Sequence, residues 1–330
     1  MDGFKIRSKQ NFLEDVVKIS EDNLNSSLND KKNAYTKHKK NKKNGVRTIY
    51  SIDKHHILYK VQKNMQSSFF INFLFPDSVC GFRKEHSYYS FLVPHINNQE
   101  SRYYLRLDIS DFFESIKRKY IEIALDYYFV DEILSVEKNW IIDKIWNIAT
   151  VDDKIIQGAI TSPTLSNLVF RNLDIRIERY CQKLNIIYTR YADDMLFSCD
   201  TCYIHRNKFI SVIKEIIESK EFKINSQKTL KCHNEISLNG YVIGENIRLS
   251  RSKFKELNKI IYEMRKKTFN GFKNRKDMYL NKNILAGYRA FIIQTLRYTK
   301  DDKTIKQLES KIAIIENLIS KYCIEYDCLK

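Results

Sequence analysis

The chain has 330 residues, of which 43% are hydrophobic, so it is long enough to bury a substantial core. Lysine and arginine outnumber aspartate and glutamate by 57 to 40, which gives a formal net charge of +17. This balance favours a polyanionic partner, although a membrane surface would attract it equally. There is no run of about 18 apolar residues and no apolar signal core at the amino terminus. Seven cysteines, an odd number, argue against a disulfide framework, and we therefore expect a cytoplasmic protein without membrane contact.

The amino-terminal part divides into a polar segment and a basic run. Residues 1 to about 30 are predicted to be helical, with Phe12, Val16 and Ile19 on one side. Residues 31–47 contain eight basic side chains and no acidic one. A run of like charge is usually a solvated loop, and contact with the phosphates of a nucleic acid is the alternative. The eight residues are Lys31, Lys32, Lys37, Lys39, Lys40, Lys42, Lys43 and Arg47.

Two further segments are predicted to be helical. One of them ends before Pro76 and has apolar residues at four-residue spacing, at Ile57, Val61, Met65, Phe69 and Phe73. The other segment covers residues 115–150 and contains Trp140 and Trp146. Core packing is the expected role of these tryptophans, and base stacking is the alternative.

Between these helices, residues 103–116 are predicted to form a strand that leads into a helical start. Leu105 and Leu107 alternate with Arg106 and Asp108, so Asp108 is expected on the opposite face from the leucines. A carboxylate at the end of a strand can contribute to a two-metal site when other acids approach it.

Residues 157–168 are typical of a glycine-containing loop that opens a helix. Ser162 is the predicted N-cap, and Pro163 the first helical residue. The buried side of this helix is predicted to consist of Leu165, Val169, Leu173, Ile177, Tyr180 and Leu184.

Residues 186–199 are predicted to form a hairpin with Asp193 and Asp194 at its tip, because both flanks are rich in aromatic and β-branched residues. Two negative charges about 4 Å apart repel by about 4 kcal/mol at an effective dielectric of about 20. This repulsion favours protonation of one carboxyl unless a cation lies between them. An Asp-Asp pair is also common on surfaces, so a metal site requires a third acid, for which Asp108 is the candidate.

Beyond residue 246 the sequence becomes helical and basic. An apolar stripe consists of Phe254, Leu257, Ile261 and Met264. The basic residues around this stripe are Lys253, Lys255, Lys259, Arg265, Lys266 and Lys267. A terminal amphipathic helix carries Ile305, Leu308, Ile312, Ile315, Ile319 and Tyr322, for which packing within this helical region is expected.

The order of these motifs resembles the palm of a reverse transcriptase. The resemblance consists of a strand aspartate, a Gln-Gly-x-x-x-Ser-Pro loop at residues 157–163 and a Tyr-Ala-Asp-Asp hairpin at residues 191–194. Three more blocks resemble those of the family and follow its order. They are the first fingers block at residues 43–50, an Asn-x-x-Lys-Thr segment within residues 222–229 and a primer grip at residues 238–241.

Within this family the chain is most similar to the short bacterial retron enzymes and their relatives in antiphage defence. The similarity rests on the compact length, on Thr-Arg-Tyr-Ala-Asp-Asp at residues 189–194 and on Gly-Phe-Arg-Lys at residues 81–84. Two segments depart from the retron pattern. Of the usual Asn-Ala-x-x-His only His95 is present, and Val-Thr-Gly is replaced by Leu-Asn-Gly at residues 238–240. In the family both segments are associated with recognition of the cognate structured RNA.

The resemblance implies an α+β fold of the right-hand polymerase type, with fingers, a palm whose antiparallel sheet carries the hairpin, and a helical thumb. The implied division is residues 1–100 for the amino-terminal region and fingers, 101–114 for the first palm strand, 115–156 for fingers helices, 157–245 for the palm and 246–330 for the thumb.

The resemblance also implies roles for individual residues. Two Mg²⁺ ions would be bound by Asp108, Asp193 and Asp194, with the carbonyl of Ile109 as a further ligand. The implied nucleotide-binding residues are Arg47, Phe113, Gln157 and Lys228, and the implied primer and template residues are Tyr191, Gly240, Tyr241 and Lys253.

Two of these residues have alternative interpretations. Phe113 would lie under the sugar and exclude a 2′-hydroxyl, or it would pack in the core together with Phe112. Lys228 would protonate the departing pyrophosphate or steady the closed loop, or it is an ordinary surface lysine.

The implied activity is RNA-directed DNA synthesis, in which part of a cognate structured non-coding RNA is copied from dNTPs into a DNA product (msDNA). Such an enzyme would act in a retron-type defence system beside a separately encoded effector protein. Two alternatives stay open. One is a non-retron defence enzyme that makes repetitive or untemplated DNA, and the other is a non-catalytic RNA-binding scaffold with a polymerase fold.

Overall fold

The structure, a computed structural model, describes residues 4–42, 45–97, 101–269 and 275–328. Lys43 and Asn44 of the predicted fingers block lie outside these residues, as do the side chains of Lys42, Lys267 and Tyr322. The chain forms two compact units, which are Met1–Phe91 with Leu105–Lys231 and Leu92–Tyr104 with Cys232–Lys330.

The helices and strands follow one another along the chain with short connections. As far as β8 they are α1 (Lys9–Asn11), α2 (Glu21–Asn29), β1 (Tyr35–Lys42), β2 (Gly45–Ile52), α3 (Ile57–Ser68), α4 (Tyr88–Leu92), β3 (Tyr103–Ser110), α5 (Arg118–Leu125), α6 (Ser135–Ala149), β4 (Thr150–Val151), β5 (Lys154–Ile155), α7 (Ser162–Gln182), β6 (Ile187–Tyr191), β7 (Asp194–Cys199), α8 (Asn207–Glu218) and β8 (Lys223–Ile224). They continue with β9 (Leu230–His233), β10 (Ile236–Leu238), β11 (Tyr241–Ile243), β12 (Ile247–Leu249), α9 (Arg251–Phe269), α10 (Arg275–Leu296) and α11 (Asp302–Cys328).

Most of the basic run lies in strand β1, so the prediction of a loop was wrong there, and contact with nucleic-acid phosphates stays a prediction. β1 pairs with β2 in antiparallel register from Tyr35 opposite Ile52 to Lys42 opposite Gly45. The lysines of β1 have low strand propensity, whereas β2 contains β-branched residues that favour a strand. Most described side chains of β1 are exposed, and Lys37 lies over the ring of Tyr50 at 5.5 Å.

The main sheet of the first unit has the strand order β6-β7-β3-β8, and β9 also pairs with β3. β3 confirms the predicted strand, and its residues Leu105 and Leu107 are buried. The predicted helical start directly after it was wrong. Asp111 has a φ of 45°, which turns the chain, and the next helix, α5, begins only at Arg118.

α7 is the long buried helix of the first unit and confirms the helix predicted after the glycine loop. The helix begins at Ser162, so Thr161 takes the N-cap position, without a side-chain capping hydrogen bond, and Pro163 is the second helical residue. The predicted stripe is buried from Leu165 to Ile177, whereas Leu184 lies beyond the helix end and is exposed. The other predicted first-unit helical segments contain α2, α3, α5 and α6, and the ring of Trp146 on α6 is buried. α3 ends at Ser68, so Phe69 and Phe73 of the predicted stripe lie beyond it.

The second unit combines a small sheet with three helices. β10, β11 and β12 form an antiparallel meander, and α11 packs against both α9 and α10. The predicted apolar stripes are confirmed, since Leu257, Ile261 and Met264 of α9 and Leu308 and Ile315 of α11 are buried. In the part of the chain that the structure describes, no helix is long and apolar enough to cross a membrane.

Candidate active site

The two adjacent carboxylates lie at a two-residue turn between buried strands. In the hairpin, Tyr191 of β6 is opposite Asp194 of β7, which leaves Ala192 and Asp193 as the turn. Ala192 has a φ of 56°, in the left-handed region that tight hairpin turns require. The predicted hairpin is therefore confirmed, with Asp193 in the turn and Asp194 as the first residue of β7.

Asp108 lies beside this turn, because β3 is the neighbour of β7. The amide of Ile109 donates a hydrogen bond of 3.0 Å to the carbonyl of Asp193. On the other side, the amide of Asn225 donates one of 2.7 Å to the carbonyl of Asp108. The fold thus brings the three predicted acids together, and the side chains of Asp108 and Asp194 are largely buried.

The acids repel one another in this buried place. Burial, together with the neighbouring carboxylates of Asp194 and Asp108, raises the pKa of Asp193 above its ordinary value. A cation close to the cluster would stabilise the ionised form of all three. This is the electrostatic situation expected from the sequence, and the structure adds two side-chain cations to it.

Arg106 and Lys228 are these cations. Arg106 Nε donates to Asp194 Oδ1 at 2.8 Å, and Arg106 Nη2 lies 3.9 Å from Asp108 Oδ2. Lys228 Nζ donates to both carboxylate oxygens of Asp108, at 2.8 and 2.9 Å. Lys228 is therefore tied to a predicted metal ligand.

Arg106 had no role in the sequence interpretation, although one signal was available. It precedes Asp108 by two residues on a strand, and residues two apart project from the same face. The same face of β3 therefore carries a cation and an acid.

The donor chemistry of the cluster fits a hard divalent cation, because three carboxylates converge and their mutual repulsion favours a positive charge. With the present side-chain positions, no three Asp, Glu, His or Cys side chains of the described residues form a ready ligand set. In these positions Arg106 and Lys228 engage oxygens of Asp194 and Asp108. A metal ion bound by all three acids would compete with these two side chains for carboxylate oxygens.

The two phenylalanines that follow β3 occupy different environments. Phe112 is buried, and its ring packs against those of Phe170 and Phe222 at 5.8 Å each. Phe113 is only partly buried, and its ring centroid lies 6.0 Å from that of Phe82. Core packing therefore accounts for Phe112 and leaves Phe113 available for contact with a ligand.

Gln157 and the β1–β2 hairpin are joined through the backbone. The amide of Tyr50 donates a hydrogen bond of 2.9 Å to the carbonyl of Gln157. Gly158 follows with a φ of 126°, and a Cβ there would lie 1.8 Å from the carbonyl oxygen of Tyr50. Arg47 lies on the same strand as Tyr50, opposite Lys40, and forms no ion pair with the three aspartates among the described residues.

Tyr191 is surrounded by aromatic side chains of the first unit. Its ring lies 5.1 Å from that of Tyr88, 6.1 Å from that of Phe82 and 6.2 Å from that of Phe91. Phe82 has a φ of 60° and is 41% exposed, an uncommon combination for a bulky residue.

The other three predicted primer residues lie together in the second unit. Gly240 has a φ of 91° in the turn between β10 and β11, and a Cβ there would lie 3.2 Å from side-chain carbons of Lys253. Tyr241 begins β11, and its ring lies 5.4 Å from that of Phe291. Lys253 Nζ donates to Glu256 at 2.9 Å.

Comparison with known proteins gives a family match and several similar proteins. Residues 37–243 match the sequence profile of the family described as "Reverse transcriptase (RNA-dependent DNA polymerase)". The retron Ec86 reverse transcriptase of Escherichia coli is 28% identical over 241 residues, which cover 70% of this chain and 69% of the relative. The retron Ec73 reverse transcriptase of Escherichia coli is 32% identical over 203 residues, covering 58% and 61%. Among solved structures, apo telomerase from Candida tropicalis gives a TM-score of 0.47 at 11% identity and covers 93% of this chain and 63% of the telomerase chain.

Proposed function

This chain belongs to the reverse transcriptase family, and we propose that it copies part of a cognate structured RNA into DNA in a retron-type system. The observation that carries the catalytic part of this proposal is the convergence of Asp108, Asp193 and Asp194 at the junction of β3 and the hairpin turn. A scaffold that only binds RNA has no physical need for three mutually repelling acids, two of them buried, so the enzyme is favoured over the scaffold.

Reverse transcriptases in general use divalent metal ions. For this chain we propose two Mg²⁺ ions, held by the three aspartates and by the Ile109 carbonyl. When bound, such ions neutralise the charge that develops on the attacking primer hydroxyl and on the leaving pyrophosphate. Asp194 would leave Arg106, and Asp108 would leave Lys228, as these ligands are engaged.

The remaining site residues would bind and orient the substrates. The planar guanidinium of Arg47 suits the triphosphate, and Gln157 would contact the nucleotide beside it. Lys228, once released from Asp108, would be close to the departing pyrophosphate. Phe113 would lie under the sugar and exclude a 2′-hydroxyl. Primer and template contacts would come from Tyr191, Gly240, Tyr241 and Lys253, the last three within residues 238–253 of the second unit.

We keep the division into fingers, palm and thumb as part of this proposal, with the helices of residues 246–330 as the thumb. The partners would be the structured RNA, the DNA product, dNTPs and an effector protein encoded alongside. Cys80, Cys181, Cys199, Cys202 and Cys232, whose side chains the structure describes, are free thiols, and a reducing, cytoplasmic location would suit them. A role in antiphage defence would follow from the retron context.

Primer extension tests the catalytic proposal. Purified protein with an RNA template, a DNA primer, dNTPs and Mg²⁺ should give extended product, and Asp193→Ala should abolish it while RNA binding is retained. Asp131→Ala, which changes an exposed acid outside the cluster, is the matched control and should behave as the wild type. Continued synthesis by Asp193→Ala would contradict the assignment.

The retron context needs a separate experiment, because the two relevant RNA-recognition segments depart from the retron pattern. Sequencing of the RNA and DNA that copurify with the protein from its host should show a branched RNA–DNA species. Repetitive or untemplated DNA would instead identify the alternative type of defence enzyme.

A further inference from the structure

A fully buried ion pair lies behind the hairpin turn. The side chains of Arg190 on β6 and Asp174 on α7 both have 0% exposure. Arg190 Nε donates to Asp174 Oδ1 at 2.8 Å, and Nη2 donates to Asp174 Oδ2 at 2.7 Å, which is the bidentate geometry that arginine forms with carboxylates. The hydroxyl of Tyr188 donates to Asp174 Oδ1 at 2.7 Å.

The same guanidinium reaches the turn itself. Arg190 Nη1 donates to the carbonyl of Ala192 at 2.9 Å, and Nη2 donates to Asn167 Oδ1 at 3.2 Å. Asn167 Nδ2 in turn donates to the carbonyl of Gly81 at 2.8 Å. The Arg190 side chain therefore connects α7 to the turn that carries Asp193, and Asn167 extends the connection to Gly81.

The segment around Gly81 closes the other side of the turn. A Cβ at Gly81 would lie 2.7 Å from the amide nitrogen of Ala192, so the two backbones are in direct contact. Cys80 N donates to the carbonyl of Arg190 at 2.8 Å, and Arg190 N donates to the carbonyl of Ser78 at 2.7 Å. Ala192 is thus held from one side by backbone packing and from the other by the guanidinium.

Stability alone does not account for this arrangement. Burying two charges is costly, and a buried ion pair can often be replaced by apolar residues of similar volume without loss of stability. An apolar replacement, however, cannot hold the carbonyl of Ala192 in one direction. The feature that requires Arg190 is therefore the orientation of the turn.

We propose that Arg190, held by Asp174, is a positioning residue that sets the direction in which Asp193 and Asp194 present their carboxylates to the metal ions. This inference rests on the proposed function. It adds that Arg190 and Asp174, which are not among the proposed substrate-binding residues, fix the geometry of the metal ligands through the carbonyl of Ala192.

Two variants test the inference. Arg190→Lys keeps the positive charge and removes the planar guanidinium that makes the bidentate contact. Arg190→Met combined with Asp174→Leu removes the ion pair without leaving an unpaired charge. In both, kcat for DNA synthesis should fall by about 100-fold, while KM for dNTPs changes little, since a small displacement of catalytic groups has this effect. Mn²⁺ binding to the protein without substrate, measured by electron paramagnetic resonance, should weaken by about tenfold.

Thr189→Val is the matched control. Thr189 precedes Arg190 on β6 and donates from its buried hydroxyl to the carbonyl of Phe91 at 2.8 Å, so the variant also loses a buried polar contact of this strand. It should lower Tm and leave kcat and Mn²⁺ affinity unchanged.

A double variant with the wild-type kcat and Mn²⁺ affinity would overturn the inference and leave a purely structural ion pair. If the double variant does not fold, Arg190→Lys decides by the same two measurements. If the wild type makes no DNA, the proposed function fails, but the Mn²⁺ titration still shows whether Arg190 orients the acids.

Discussion

Arg106 Nε donates a hydrogen bond to Asp194 Oδ1 at 2.8 Å, and the same guanidinium lies 3.9 Å from Asp108. A positive side chain therefore occupies the space between two of the three acids that would bind metal. Because both contacts of the guanidinium go to Oδ1 of Asp194, Arg106 and a metal ion would compete for that oxygen.

Arg106→Met should therefore strengthen the binding of divalent cations. We expect Mn²⁺ affinity to rise on the order of tenfold, which corresponds to about 1.4 kcal/mol. In the presence of EDTA the same variant should have a lower Tm than the wild type, because the buried acids lose their counterion. Mn²⁺ titration and thermal denaturation measure the two effects.

Arg118→Met is the control for this prediction, since Arg118 pairs with the more exposed acids Glu122 and Asp143. It should change neither the Mn²⁺ affinity nor the Tm in EDTA appreciably. Weaker Mn²⁺ binding by Arg106→Met would show that the guanidinium supports the metal site instead of competing for it.

Asp193 should make stability depend on pH. Its pKa is raised by burial and by the acids beside it, so the folded chain binds this proton more tightly than the unfolded chain. The stability that the protonated carboxyl contributes is present at low pH and is lost as the pH rises through the folded-state pKa. In EDTA at pH 7, Asp193→Asn should therefore have a higher Tm than the wild type, by about 2–4 °C for each kcal/mol recovered.

Thermal scans from pH 4 to pH 8 measure this difference, which should shrink towards the acidic end. Excess Mg²⁺ should also reduce it, because the ion stabilises the ionised wild type. An Asp193→Asn variant that is less stable than the wild type at pH 7 in EDTA would refute the prediction.

Gly158→Ala should displace the β1–β2 hairpin. The new Cβ would lie 1.8 Å from the carbonyl oxygen of Tyr50, and the φ of 126° is strained for any residue other than glycine. We expect a stability loss of about 2 kcal/mol or more and a raised KM for dNTPs, measured by denaturant unfolding and by primer extension.

Gly287→Ala provides the comparison, because the residue is helical and, apart from its own helix backbone and its chain neighbours, no heavy atom of the described residues lies within 4 Å of the added methyl group. It should be neutral or stabilise the protein by up to about 1 kcal/mol. Equal effects of the two substitutions would rule out a close approach of Tyr50 to Gly158.

Phe113→Ala should relax the choice of sugar. Removal of a partly exposed ring under the ribose is expected to lower the preference for dNTPs over rNTPs by about tenfold or more. Phe112→Ala should instead cost about 3–5 kcal/mol of stability, as for a buried aromatic side chain, with unchanged sugar selectivity. Single-nucleotide incorporation assays separate the two, and an unchanged rNTP preference in Phe113→Ala would remove that residue from the nucleotide site.

The features predicted correctly from the sequence are those with a local signal. The hairpin around Asp193 combines strand-forming flanks with a turn, and α7 has a regular apolar stripe, so each could be recognised without knowledge of its partners. β1 escaped recognition because its lysines are poor strand formers and its pairing depends on β2. The capping residue of α7 was misplaced by one position because Thr161 and Ser162 are both ordinary cap residues.

Arg106 and Arg190 escaped recognition for a different reason. Their importance comes from residues distant in sequence, namely Asp194 for Arg106 and Asp174 and Asn167 for Arg190. An arginine in a strand gives no indication of whether its charge faces solvent or a buried acid. Only the assembled sheet and helix distinguish these two from the other arginines of this basic chain.

The hydrogen bond between Tyr50 and Gln157 has a mechanical consequence. It joins the strand that carries Arg47 to the loop that leads into α7. At Gly158 the two backbones are so close that there is no room for a side chain. A displacement of the β1–β2 hairpin should therefore also displace the loop at residues 157–161. Substitutions at the two places should therefore be non-additive, and an engineered exchange of the hairpin with that of a relative would have to bring its matching loop along.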